Sequence, residues 1–292
     1  MHRIELNQHT FSLGLAPSEG GCVTHFKWRD QDVLRPVTQA PHKGVYDARN
    51  YAAFPMMPFC GRIEHGTFQY ANQTYHLPLN MPPDPHAIHG QAWQMAWTVD
   101  QHSEHQVILS YTHPVGAWPW AYSAHQVFQL LPDGLELTLS LKNLSETPMP
   151  AGMGWHPYFP RAQAQLDLPT TSVWPAGNRG LNLPPETLTE AQRLTPARWV
   201  RALDMDNCFD LQAKPYQLHW PHHSLRIDPD PMFGKCLVFI PEGEDFFCVE
   251  PISHAPNAVN STLPNALTGL VDLAPQAELR ARIRLRLSDA AS

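Results

Sequence analysis

The sequence predicts an all-β protein, a single large antiparallel β-sandwich over residues 1–292, and three observations carry that expectation. Near the C-terminus Leu279, Ala281, Ile283, Leu285 and Leu287 alternate with Arg280, Arg282, Arg284 and Arg286. That period of two turns one face to a core and the other to water. Thirty prolines in 292 residues interrupt the chain too often for long helices, because each removes an amide donor and clashes with the preceding turn. Short apolar runs recur between Pro- and Gly-containing turns, the spacing of a sandwich or barrel.

The elements follow in chain order. Residues 106–111 and 124–131 read as strands. The turn Pro132-Asp133-Gly134 then leads into Leu135-Glu136-Leu137-Thr138-Leu139-Ser140-Leu141, again alternating, so the three runs predict an antiparallel meander. Residues 187–193 are the best helical stretch, short and hemmed by Pro184-Pro185 and Pro196. Residues 236–240 and 246–249 flank Pro241-Glu242-Gly243-Glu244-Asp245 and predict a hairpin. No internal repeat, charge block or linker-like tract divides the chain, so one domain is expected.

Composition excludes several classes of function. A formal charge of −7 argues against a nucleic-acid or anionic-membrane partner, which needs clustered Lys and Arg. A neutral small molecule suits it better. No apolar run approaches the roughly 20 residues of a membrane-spanning helix, and Met1-His2-Arg3-Ile4-Glu5 lacks a signal-like apolar run, so a cytoplasmic protein is expected. Cys22, Cys60, Cys208, Cys236 and Cys248 are scattered and odd in number, which predicts buried, reduced thiols. No metal and no cofactor are expected. A phosphate loop, GxSxG, HExxH and an EF-hand loop are all missing, the His86/His89 spacing on a Pro-rich loop does not define a metal site, and His222-His223 has no obvious further ligand.

Four segments combine polar groups with Trp, Gly and Pro beyond what turns require: Pro55-Met56-Met57-Pro58-Phe59-Cys60-Gly61-Arg62-Ile63, His86-Ala87-Ile88-His89-Gly90-Gln91-Ala92-Trp93, Gly152-Met153-Gly154-Trp155-His156-Pro157-Tyr158-Phe159, and Phe247-Cys248-Val249-Glu250-Pro251-Ile252-Ser253-His254-Ala255-Pro256-Asn257. Glu250 closes an apolar strand, and a carboxylate there must be paired, hydrogen-bonded or shifted in pKa. It is either catalytic or half of a structural ion pair, with Arg62 as its partner. His156, between Trp155 and Pro157-Tyr158, is either a structural histidine or a member of a sugar site, where aromatic faces take C–H surfaces and polar groups take hydroxyls.

Taken together and in order, these residues resemble the aldose 1-epimerase family along nearly the whole chain. The resemblance runs through Gly20-Gly21-Cys22-Val23-Thr24-His25-Phe26-Lys27-Trp28 and Asp32-Val33-Leu34-Arg35-Pro36, the Pro-Phe-x-x-Arg-Ile element leading into Gly66-Thr67-Phe68, His89-Gly90, Trp-His-Pro-Tyr-Phe at His156, Asp-x-Cys-Phe at Asp206, and Val-Glu-Pro at Glu250. It implies a galactose mutarotase-like supersandwich with a hexose site in a concave face, a monomer or dimer, and exchange of α and β anomers. By position, His156 resembles the family's general acid and Glu250 its general base. Arg62, His89 and Asp206 resemble its sugar-binding side chains, Trp93 or Trp155 would stack on the ring, and Arg62 would hold Glu250 ionised. Gly61 stands where many members carry Asn, and Asp206 is chosen over Asp204 because Asn207-Cys208-Phe209 follows.

Two alternatives accompany this reading. A hexose-6-phosphate 1-epimerase needs several cations aimed at a phosphate, whereas the densest basic run, at residues 280–286, is expected to face solvent. A non-catalytic carbohydrate-binding or sensory protein on the same fold would have lost its acid or its base, and both positions are filled here.

Overall fold

A computed structural model describes residues 3–38, 47–177, 181 and 183–290. Two large antiparallel sheets enclose the main core. Across the first, the strands run Ile4–Gln8, Phe11–Ala16, Cys22–Trp28, Ala53–Met56, Gly154–Pro160, Phe246–Ile252, Lys235–Ile240, Met205–Leu211 and Thr170–Trp174, with Gln31–Leu34 added beside Cys22–Trp28. Across the second they run Thr98–His102, Gln106–His113, Tyr122–Leu131, Gly134–Asn143, Glu278–Asp289, His223–Pro229, Tyr216–His219, Gln165–Leu168 and Leu194–Trp199. The all-β architecture is the one expected.

The expected meander lies in the second sheet, and its register explains why alternation is a reliable signal there. Val107 sits opposite Phe128, Phe128 opposite Leu137 and Leu137 opposite Ile283. All four are fully buried, so each strand contributes one side chain to a continuous cross-strand row. A slip of one residue would expose the row entirely. On the other face Arg282 meets Glu136 and Asp230, Arg284 and Arg286 meet Asp133, and Arg286 also reaches Asp228. Such surface pairs contribute about 0–1 kcal/mol each; they leave the basic strand face occupied by its own acids.

The expected hairpin is also present, Lys235–Ile240 pairing with Phe246–Ile252. The helical expectation at 187–193 is corrected. Only Glu190–Gln192 coil, as a 3₁₀ turn closed by a capping box between Thr189 and Gln192. The strand Leu194–Trp199 begins directly afterwards and contains Pro196, so the turn has no room to extend. Among the described residues the one α-helix is the single turn Asn265–Thr268. No helix there is long and apolar enough to cross a membrane. All five cysteines are buried and unpaired.

The first sheet has two different faces. Trp155, Phe159, Phe247 and Val249 join Phe128, Leu137 and Ile283 in the core between the sheets. The intervening residues point the opposite way, and Tyr158, Cys248 and Ile252 pack with Phe54, Met56 and Trp93 in a second apolar cluster. Period-two geometry therefore divides the Trp155-His156 pair between the two faces.

Candidate active site

The outer face of the first sheet floors a cavity of about 550 Å³, a size typical of small-molecule sites. Its floor follows from strand register. Gly154 opposes Ile252 and Tyr158 opposes Cys248, which sets His156 against Glu250. Phe54 opposes His156 on the other side, while Leu237 opposes Glu250 and Asp206 opposes Phe239. His156, Glu250, Arg62, His89, Trp93 and Asp206 all line the cavity.

His156 Nε2 lies 3.3 Å from Glu250 Oε1. Both side chains are buried, and His156 Nδ1 and Glu250 Oε2 have no hydrogen-bond partner. Unpartnered buried polar atoms are rare in native proteins; here both belong to groups that open onto the cavity. Burial, the main cause, pushes the His156 pKa down to about 3. Burial also raises Glu250 well above the usual carboxylate range, Asp206 adding to the effect and Arg62 opposing it. Both shifts favour the uncharged forms. Arg62 acts on Glu250 in the expected direction, favouring the ionised form, but no ion pair joins the two among the described residues. Arg62 Nε donates to Asp84 Oδ2 at 2.9 Å, so its charge is committed to a different carboxylate.

Loop amides fix the orientation of His89. Gly61 N–H donates to His89 Nδ1 at 3.1 Å, and His89 N–H donates to the Gly61 carbonyl at 2.9 Å. Burial, His156 and Arg62 all lower the pKa of the ring, so it is neutral and carries its proton on Nε2 as a donor. His254 holds the preceding residue in the same way, its Nε2 accepting Cys60 N–H at 3.1 Å. Gly152 N–H donates to Pro58 O at 2.7 Å and Asn257 N–H to Arg62 O at 2.7 Å. The four segments singled out in the sequence thus meet as one hydrogen-bonded unit.

Two glycines have steric reasons. Gly61 has φ +65°, and a Cβ there would come within 2.6 Å of Pro256, so this backbone has no place for the Asn that the family resemblance leads one to expect. Gly90 has φ +69°, and its Cβ would meet the Met57 carbonyl oxygen at 1.9 Å. Gly90→Ala is expected to destabilise the fold by more than about 1 kcal/mol. A denaturant midpoint equal to wild type would show that the loop accepts a side chain.

The aromatic expectations divide. Trp93 lines the cavity, stacks on Phe54 at 5.1 Å and donates Nε1–H to the Gly90 carbonyl. Trp155 is corrected. It is 1% exposed in the core between the sheets and cannot reach a ligand, because its strand neighbour His156 takes the cavity side. Asp206 lines the cavity and Asp204 does not; burial raises the Asp206 pKa and Arg62 opposes this.

Sequence reasoning misses Phe54, Tyr158 and Arg35. Phe54 stacks on the His156 ring at 4.4 Å and Tyr158 at 4.8 Å. The Arg35 guanidinium lies 4.3 Å from the Tyr158 ring centre and 4.5 Å from that of Phe246, and donates to the Arg49 and Tyr51 carbonyls. Tyr158 is recoverable by counting two residues on from His156; the others come from distant segments.

The sequence model of the family described as aldose 1-epimerase matches residues 2–286. The uncharacterized protein YphB of Escherichia coli K12 is 32% identical over 268 residues, covering 84% of this chain and 87% of that protein. The chain belongs to the aldose 1-epimerase family. Among solved structures, a candidate aldose 1-epimerase of Escherichia coli K12 superposes with a TM-score of 0.89 at 26% identity, covering 99% of each chain. A galactose mutarotase-like protein of Clostridium acetobutylicum gives 0.87 at 18% identity, with 98% of this chain and 95% of that one covered. The galactose mutarotase-like sandwich expected from the sequence is therefore the fold, and aldose 1-epimerase membership supports an isomerase acting on carbohydrate.

Proposed function

We propose that the protein is an aldose 1-epimerase that exchanges the α and β anomers of free hexoses, with Glu250 and His156 as its base and acid. The 3.3 Å contact between His156 Nε2 and Glu250 Oε1 carries this reading. Anomer exchange moves protons at two oxygens on one carbon, O1 and O5 of C1, so donor and acceptor must stand side by side. Glycosidase carboxylates stand about 5–5.5 or 6.5–9.5 Å apart, to flank a bond and a water. The spacing here fits the first task.

In the reaction Glu250 acts as the carboxylate and His156 as the imidazolium. The carboxylate then takes the O1 proton while His156 gives its proton to O5. The C1–O5 bond breaks with its electron pair on O5, the O1 electrons close the carbonyl, and C1 turns about C1–C2. Reclosure on the other face of the carbonyl reverses both transfers. His89 Nε2–H, Arg62 and Asp206 hold hydroxyls, and Trp93 with Phe54 supplies an apolar wall. These side chains suffice for both proton transfers.

The neutral hexose is favoured over a phosphorylated one because the cavity arginines are already engaged. Arg62 pairs with Asp84 and Arg49 with Asp47, and Arg35 lies between two rings and donates to carbonyls. Polarimetry of freshly dissolved α-D-glucose, α-D-galactose and glucose 6-phosphate tests the proposal. The free hexoses are expected to equilibrate faster with enzyme. A preference for glucose 6-phosphate overturns the substrate assignment, and no acceleration on any aldose favours a binding protein.

A further inference from the structure

We propose that His156, Cys248 and Glu250 together form an inhibitory site for a borderline-soft divalent cation, with Zn²⁺ the best match. Cys248 has no role in the anomer exchange. It lies two residues before Glu250 on the same strand face and directly opposite Tyr158, so its thiol sits beside the acid–base couple. One ligating atom from each of the three residues lies within 4.8 Å of the other two.

The geometry suits a tetrahedral ion. Bonds of about 2.0–2.1 Å to nitrogen and oxygen place those two ligands roughly 3.3 Å apart, which is the His156–Glu250 separation already present, 3.3 Å. The Cys248 thiol, whose sulfur lies within 4.8 Å of the other two ligating atoms, completes a face with a bond of about 2.3 Å. The fourth position opens on the cavity, where water completes the shell. A thiolate, an imidazole and a carboxylate favour Zn²⁺ or Co²⁺ over Mg²⁺ and Ca²⁺, which take all-oxygen shells.

The charge distribution points the same way. Among the described residues no Lys or Arg forms an ion pair with Glu250, whose one ion-pair contact is His156. Burial disfavours the charged carboxylate and thiolate, so a bound divalent cation takes the place of the Glu250 and Cys248 protons, which leave to solvent. Because the ion would use the same Nε2 and carboxylate as the sugar, the two exclude each other. Inhibition should therefore be competitive with hexose and reversed by a chelator.

Two measurements test this. Co²⁺ titrated into the purified wild-type protein should produce a thiolate-to-cobalt charge-transfer band in the near ultraviolet, absent in Cys248→Ala. Free Zn²⁺ set with a nitrilotriacetate buffer should stop anomer exchange in wild type. Cys248→Ala should keep the metal-free rate and need at least about tenfold more Zn²⁺, since loss of mere outer-shell support already costs about 10–100-fold in metal affinity. No cobalt band in wild type, or equal zinc sensitivity in Cys248→Ala, overturns the site. The cobalt band is read without any sugar, so a failure of the epimerase assignment would leave it intact.

Discussion

Glu250→Gln is expected to slow anomer exchange by about 10²–10⁴, the usual contribution of one positioned acid or base. Gln keeps the shape of the side chain and can still hydrogen-bond to His156 Nε2, so the fold and the cavity should survive the change. The loss belongs in kcat, because the group acts on O1 as the ring opens and not in sugar binding. His156→Gln should cost a similar factor. The double variant should fall far short of the product of the two losses, because either change alone disables the same couple. Single-variant rates within a few-fold of wild type by polarimetry would remove both residues from the mechanism.

Trp155→Ala is expected to destabilise the protein by about 3–5 kcal/mol, the range for truncating a large buried aromatic side chain. Its indole is almost wholly enclosed between the sheets, and the hole cannot refill from two hydrogen-bonded layers. Turnover per folded molecule should stay within a few-fold of wild type, since the ring does not reach the cavity. Trp155→Phe is a milder change that also removes a buried Nε1–H with no partner, and should cost less than about 1.5 kcal/mol. Denaturant unfolding with parallel kinetics separates these outcomes. A stable Trp155→Ala with lost activity would place the indole at the sugar after all. Neighbouring residues on one strand thus have opposite signatures, stability for 155 and rate for 156.

That pair also marks the limit of what the sequence can say. The second sheet is legible because its strands alternate apolar and polar residues, as at 279–287 and 135–141, and such strands state which side is wet. The strands Gly154–Pro160 and Phe246–Ile252 are covered on both faces, so their sequences are nearly continuous runs of apolar and aromatic residues with no alternation to read. His156 and Glu250 stand out as polar interruptions of those runs, and family resemblance implies the roles proposed for them. The tie between Arg62 and Asp84 is not legible. It joins residues 22 positions apart through an irregular loop, and charge alone offers Glu250 as an equally good partner. Nor can sequence logic foresee that Gly61 faces Pro256, almost two hundred residues away.

The proposed acid–base couple is carried by two strands in the interior of a hydrogen-bonded sheet, whereas much of the cavity mouth comes from chain between strands, at 35–38, 47–50 and 244–245. Amide exchange at 156 and 250 should therefore require opening of the whole domain, while amides of the mouth exchange through local fluctuations. A lineage can change which sugar it admits by editing those outer segments, where insertions and substitutions are cheap, without disturbing the spacing on which proton transfer depends. Divergence of specificity and preservation of chemistry then occur in different regions of the chain, and relatives with the same couple can be expected to differ mainly in their rims.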